Sequence, residues 1–241
     1  LQNAASSYFT HRKLWINDLN LMTVDKPVPR NLAEITATVF GLSGSPIMLG
    51  DDFRQIDEER LSLVKKCLPR TDRWAKPMDL FDRPMPDDYP RLMLLPVKTA
   101  WETYWVLGVF NLDRTPWSTT LTAARLGLDS KSEYRLFEFW DEEYQGPFKG
   151  QFDCDLAPNS CRLYRISKAR QHPWLLSTTM HVQQGNVEVP ELEWNAKTLT
   201  LRGKVTRPKG EKGSLYFLMP DGYRLINHER HWLLKVGFDM S

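Results

Sequence analysis

Leu14-Trp15-Ile16-Asn17-Asp18 and, further on, Ser45-Pro46-Ile47-Met48-Leu49-Gly50-Asp51-Asp52 are the stretches that decide the fold of this chain. Each is a short apolar run that ends in polar and acidic residues, and an amphipathic segment lies between them. Open α/β sheets and (β/α)8 barrels carry their ligand-contacting groups where a strand hands over to a helix. The pattern predicts a strand over 14–19, a helix over 32–42, a strand over 45–49 and a further helix begun by Asp57, Glu58 and Glu59. Asn31 followed by Glu34 has the form of a capping box, and Gly41 and Gly44 mark that helix's end. In the last helix Leu61, Val64 and Leu68 share one face; Lys65, Lys66 and Pro69 suit its C-terminus. Residues 1–12, with Ala4, Ala5 and Tyr8 at helical spacing, read as the end of an earlier helix. Two strand–helix units cannot close a barrel, which needs eight of them and roughly 250 residues. Residues 1–69 are therefore expected to be the C-terminal portion of a (β/α)8 barrel, and the chain the tail of a larger enzyme.

Beyond this the grammar changes. Residues 70–91 hold Pro77, Pro84, Pro86 and Pro90 and read as a connector draped over a surface, because Trp74, Met78, Leu80 and Phe81 require burial. From 92 to 168 short apolar runs (92–97, 104–112, 119–126, 134–140, 162–166) alternate with turn residues, which predicts an antiparallel β-sandwich. Residues 169–241 repeat the pattern, most cleanly where Leu199, Leu201 and Gly203 alternate with Thr198, Thr200 and Arg202. Pro208 to Gly213 read as a hairpin tip between strands over 203–206 and 214–218. This region is either a β-module of its own or strands added to the sandwich. The expected fold class is α/β plus all-β.

Composition describes a folded chain: 41% of its 241 residues are hydrophobic and 12% aromatic. Its 32 basic and 30 acidic residues are interspersed, leaving a net charge of +2, so no field directs it to nucleic acid or a membrane surface. No apolar run reaches the ~20 residues of a bilayer span, and the first residues lack the basic and apolar regions of a signal peptide. Three cysteines do not form a disulfide scaffold or a zinc site. Cys154 and Cys161 flank a turn, which leaves open a bridge across a hairpin or two buried thiols. Of the five histidines, His228 and His231 have metal-compatible spacing but sit among Glu229 and Arg230. No metal site is expected, and no nucleophile elbow, phosphate loop or dinucleotide fingerprint occurs.

The chemistry belongs to the first 60 residues. Trp15 offers an aromatic face for the C–H groups of a sugar ring, and Asn17 and Asp18 offer amide and carboxylate partners for its hydroxyls. An Asn-Asp pair after a strand is equally ordinary turn chemistry, and tryptophans are commonly core. Asp51 and Asp52 sit next to an expected helix start, where capping and the helix dipole explain a carboxylate; contact with substrate is the alternative.

The run Tyr8-Phe9-x-His11-Arg12-x-Leu14-Trp15-Ile16-Asn17-Asp18, followed by Gly44-Ser45-Pro46-Ile47-Met48-Leu49-Gly50-Asp51-Asp52, resembles the last barrel strands of α-galactosidase-like glycoside hydrolases, families 27 and 36. Members typically carry Trp-x-Asn-Asp-Pro-Asp after strand seven, Gly-x-Pro-x-x-x-Gly/Ser-Asp/Asn-Asp at strand eight, and then an antiparallel β-domain. Ala157-Pro158-x-Ser160-Cys161-Arg162 resembles the closing strand of that domain. The likeness covers residues 1 to about 166, and residues 173–241 are similar to extensions on some bacterial members. It implies a glycosidase acting on a terminal, α-linked sugar, with Trp15, Asn17 and Asp18 as substrate-binding residues.

Two departures matter. Leu19 and Asn20 stand where the family has Pro and a second Asp, which removes a carboxylate from the pocket rim. The family's nucleophile and acid/base aspartates belong to strands four and six, which would precede Leu1. Retaining hydrolysis needs two carboxyl groups about 5–5.5 Å apart, so no catalytic residue is expected in this chain. No cofactor is implied either, since two carboxylic acids suffice for the reaction. The expected partners are a carbohydrate substrate and the missing N-terminal barrel segment, or a second copy in its place. The competing reading is a non-catalytic carbohydrate-binding or structural sandwich with Trp117, Trp174 or Trp194 as a platform.

Overall fold

The computed structural model describes residues 2–82, 89–223 and 233–240. Pro84, Pro86, His228 and His231 lie outside the described residues. Helix α1 (Gln2–Ser6) and a single 3-10 turn (Tyr8–Thr10) lead to strand β1 (Leu21–Met22), helix α2 (Arg30–Ser43), strand β2 (Met48–Leu49) and helix α3 (Glu58–Lys65). β1 and β2 pair in parallel, Leu21 opposite Met48, so β1–α2–β2 is a crossover unit. The strand expected over 14–19 is absent, apart from an isolated bridge between His11 and Trp15. Asp18 accepts the Asn20 N–H at 2.8 Å and Asn20 takes φ +68°, a local turn that delays extended backbone until Leu21.

The capping box is not used. Pro29 takes the cap position of α2, Asn31 donates across to the Asn159 carbonyl at 2.6 Å, and Glu34 accepts from Arg30 at 2.7 Å. The helix ends at Gly44 in the left-handed conformation, φ +67°. In α3 the cap is Asp57, which accepts the Arg60 N–H at 2.9 Å. Asp57→Ala should lower the midpoint of urea denaturation, whereas Asp57→Asn should be nearly neutral. The buried face of α3 carries Arg60, Leu63 and Val64, not the expected Leu61 and Leu68. Leu68 is instead 37% exposed.

The middle region is an antiparallel sheet of β3 (Lys76–Pro77), β4 (Leu92–Lys98), β5 (Thr103–Asn111), β6 (Trp117–Thr122), β7 (Glu133–Glu138), β8 (Glu143–Lys149), β9 (Gln151–Leu156) and β10 (Ser160–Lys168), in the order β3-β4-β5-β10-β7-β8-β9-β6. β8 and β9 were not expected, because exposed polar residues alternate along them and Gly146, Pro147 and Gly150 resemble turn residues. β8 joins β9 only at Lys149 and Gln151, so the sheet folds over at this hairpin and β6–β9 closes the sandwich. Leu121, Cys154 and Leu156 thereby share one core with Leu94, Leu107 and Ile166.

The central strands are apolar on both faces. Along β5, Leu107 and Val109 face the sandwich interior, while Tyr104, Val106 and Phe110 join Ala37, Phe40 and Leu42 of α2 in a second core. The helix of the crossover unit thus lies on the outer face of the sandwich. Cys154 and Cys161 fall in different cores and are free thiols. Cys154 Sγ lies 3.4 Å from the Tyr164 hydroxyl, and Cys161 Sγ lies 3.6 Å from the Thr38 hydroxyl. Burial pushes both thiols upward, Cys154 to about 11.

The last region forms sheets of its own: β11 (Trp174–Thr178), β14 (Lys212–Leu218) and β15 (Leu233–Asp239) in the order β11-β14-β15, and a hairpin of β12 (Glu191–Asn195) with β13 (Thr200–Lys204). The expected hairpin across Pro208–Gly213 does not form; β13 pairs with β12, while β14 lies between β11 and β15. Leu199, expected in the strand, sits at φ +50° in the turn before it and is exposed. The segment 179–189 between β11 and β12 is buried although irregular. Several of its polar groups bond neighbouring elements, while Gln184 Nε2 and Glu188 Oε2 have no partner among the described residues. Val182 N–H donates to the Lys66 carbonyl and His181 to the Pro69 carbonyl; beyond the segment, Arg207 donates to the carbonyls of Leu68 and Lys65. A cation on the last carbonyls of α3 also complements the helix dipole.

Candidate functional site

The loop between the 3-10 turn and β1 carries Trp15, Asn17 and Asp18. Asn17 is half-buried and fully engaged. Its Nδ2 donates to the Ser7 carbonyl at 2.6 Å, its Oδ1 accepts from the Thr10 hydroxyl at 3.0 Å, and its N–H donates to His11 Nδ1 at 3.1 Å. Ser45 Oγ donates to its carbonyl at 2.6 Å, which ties this loop to the one before β2. Burial, reinforced by the Arg12 charge, lowers the buried His11 below the usual imidazole range. That keeps His11 neutral and able to accept from Asn17.

Trp15 and Asp18 are exposed. Asp18 stands at a groove of about 370 Å³ whose apolar wall includes Leu19, Leu21, Ile35, Val39 and Phe40. Along the loop and the strand after it, Leu14 is 70%, Trp15 59%, Ile16 56% and Leu21 53% exposed. Exposed apolar clusters of this kind mark a contact surface. Asp51 is taken up by the fold: its Oδ2 accepts the Val24 N–H at 2.8 Å. Gly50 lets β2 approach β1, since a Cβ there would meet Thr23 at 2.8 Å. Asp52 accepts from the side chain and N–H of Arg54, which hold its carboxyl at about 2. Neither opens a helix; α3 begins only at Glu58.

The tryptophans of the sandwich and the last module are occupied. Trp174 is buried with Nε1 on Glu102 at 3.0 Å, Trp117 carries the Arg91 guanidinium over its ring, and Trp194 stacks on His172 at 4.9 Å. Among the described residues no three His, Cys, Asp or Glu side chains converge as metal ligands, and no helix is long and apolar enough to cross a membrane.

Comparison with known proteins follows this layout. Residues 97–166 match the family described as Alpha galactosidase C-terminal beta sandwich domain. No curated protein matches the chain. Among solved structures, α-galactosidase I from Mortierella vinacea superposes with a TM-score of 0.54 at 15% identity, over 69% of this chain and 44% of that one. A glycoside hydrolase family 27 β-L-arabinopyranosidase from Geobacillus stearothermophilus gives 0.57 at 16% identity, over 70% and 40%. The α-galactosidase from Saccharomyces cerevisiae gives 0.53 at 10% identity, over 69% and 50%. The chain thus spans at most half the length of these structures, and the likeness is one of fold. Over residues 97–166 the chain carries the C-terminal β-sandwich domain of α-galactosidase-like proteins.

Proposed function

We propose that this chain is the C-terminal part of a glycoside hydrolase that cleaves a terminal, α-linked sugar, with its catalytic aspartates on preceding barrel strands. The observation that carries the reading is the shared core between the matched sandwich and the crossover unit before it. Phe40, Ala37 and Leu42 of α2 pack with Val106, Phe110 and Leu163 of the sandwich sheet. Parallel strands joined by a helix are the building unit of a (β/α)8 barrel, and β1 and β2 leave both outer edges unpaired among the described residues. In this reading residues 1–69 complete a barrel, and the exposed Leu14, Ile16 and Leu21 meet its N-terminal segment, which covers the open edges.

The rim residues divide by what their polar atoms already do. Asn17 positions the loop through Ser7, Thr10 and Ser45. Trp15 and Asp18 contact the sugar, the ring face by packing and the carboxylate by accepting a hydroxyl proton. Asn20, where the family has an acid, adopts a left-handed conformation that Asn and Asp share. The missing carboxylate therefore alters the rim's chemistry without requiring a different backbone.

The test is to assay the chain extended through the complete barrel against aryl α- and β-glycosides, with Asp18→Ala alongside. Hydrolysis of a terminal α-glycoside is expected, and Asp18→Ala should reduce kcat/KM about tenfold, the worth of one hydrogen bond to a charged group. Unchanged activity in Asp18→Ala would remove Asp18 from the site. An inactive protein whose sugar binding maps to residues 92–241 would establish the binding-module reading instead. The 241-residue chain should self-associate through its open edge; a monodisperse monomer at high concentration would count against the barrel reading.

A further inference from the structure

Where β10 ends and β11 begins, a narrow crevice of about 20 Å³ is lined by Arg135, Lys168, Arg170 and His172 over a floor that includes Trp174 and Leu218. Three cations and a histidine line it, and among the described residues no carboxylate does. The acids nearby are already paired. Glu102 accepts from Arg165 at 2.6 Å and from Trp174 Nε1 at 3.0 Å, and Glu133 pairs with Arg135. Asp129 accepts from the Ser132 hydroxyl at 2.7 Å. Among the described residues, neither Lys168 nor Arg170 has an acid at hydrogen-bond distance.

Arg170 is set for a ligand. Its guanidinium lies over the Trp174 indole at 4.1 Å, which fixes its plane. Its nearest acid, Glu102, stands 3.7 Å away, beyond hydrogen-bond reach, and its buried Nε has no hydrogen-bond partner among the described residues. A buried donor left without an acceptor costs about 1–3 kcal/mol, and an acceptor brought to this guanidinium recovers its hydrogen-bonding capacity. His172 is held by stacking on Trp194, with interplanar angle 4°. The crevice is too small to enclose a sugar ring: its interior has room for about one water-sized group, so it takes one oxygen of an oxyanion while the other oxygens lie at its open mouth beside Arg170 and Lys168.

We propose that this crevice binds the oxyanion group of a small ligand, a phosphate, sulfate or carboxylate, gripped by Arg170 and Lys168. The rest of the ligand extends into solvent. The site lies in the sandwich and the last module, remote in sequence from Trp15 and Asp18, and does not depend on the hydrolase reading.

The experiment titrates the 241-residue chain with inorganic phosphate, sulfate and glucuronate at ionic strength held constant with sodium chloride, following tryptophan fluorescence and Tm. A saturable fluorescence change and a raised Tm are expected with at least one of the three, and the arm with the highest affinity identifies the oxyanion geometry. Lys168→Gln should weaken binding about tenfold without lowering the Tm of the anion-free protein, because Lys168 is exposed; Arg170→Lys should weaken it as well, since an ammonium loses the planar fork. If chloride alone gives the same response, or if both variants bind as tightly as the parent, the proposal is overturned.

Discussion

Arg165→Met is expected to cost about 3–5 kcal/mol in urea denaturation, the range found when one partner of a buried ion pair is removed. Arg165 is fully buried on the central strand β10, and its Nη2 donates to Glu102 at 2.6 Å. Nη1 donates to the Gln184 carbonyl at 2.5 Å and Nε to the Ser167 hydroxyl at 3.0 Å, and the Tyr104 ring lies 3.9 Å from the guanidinium carbon. Around it the Tyr104 hydroxyl donates to the Gln183 carbonyl at 2.6 Å, and Trp101 Nε1 to the Val189 carbonyl at 2.8 Å. These bonds fasten segment 179–189 to the sandwich. In Arg165→Met the buried Glu102 carboxylate keeps the Trp174 Nε1 hydrogen bond and the Arg170 guanidinium 3.7 Å away but loses its close ion pair, and the Gln184 carbonyl loses its donor. Arg165→Met/Glu102→Gln should therefore be less damaging than the sum of the single changes. A loss below about 1 kcal/mol for Arg165→Met would show that the network does not hold the last module in place.

The second large effect is on pH. His181 is buried, its Nε2 donates to the Pro69 carbonyl at 3.2 Å, and its Nδ1 accepts the Gln183 N–H at 3.1 Å. Both contacts are satisfied by the neutral ring, and burial, with Arg207 nearby, drives its pKa down to about 3. The unfolded chain takes up this proton near pH 6.5 and the folded chain refuses it. Stability from His181 is therefore complete above pH 6.5 and is lost as pH falls towards 3, by on the order of 4 to 5 kcal/mol at the lower limit. Glu138 works in the opposite sense. Burial pushes it up to about 7 against the N–H bonds of Leu163 and Asp141, so its contribution declines as pH rises from about 4.5 to 7. Comparing Tm against pH for the parent and His181→Gln isolates the histidine. The variant should lose less stability on acidification, and parallel profiles would sink the assignment.

The difference between what could be read and what could not follows from the range of the interactions. Helix α2, its glycine stop and the sandwich strands β4, β5, β7 and β10 were legible because apolar periodicity and turn residues act within a few positions. β8 and β9 escaped because one face of each is polar and exposed and their hairpin is built from residues that elsewhere end strands. The rim residues were legible as residue types on a loop. That Asn17 is consumed by Ser7, Thr10 and Ser45 while Trp15 and Asp18 stay open depends on elements brought together from distant positions. The cation-lined crevice had no signal in the chain order, since Arg135 and Arg170 meet only because β7 lies beside β10.

By itself the sequence determined the succession of a crossover unit, a connector, an antiparallel sandwich and a further β-region, since composition and local periodicity set which face of each segment seeks burial. Only the tertiary structure decided which strands pair, which core Cys154 and Cys161 each enter and which polar groups of segment 179–189 are satisfied. Those outcomes depend on partners that become neighbours only after the sheet has folded over and α2 has settled on its outer face.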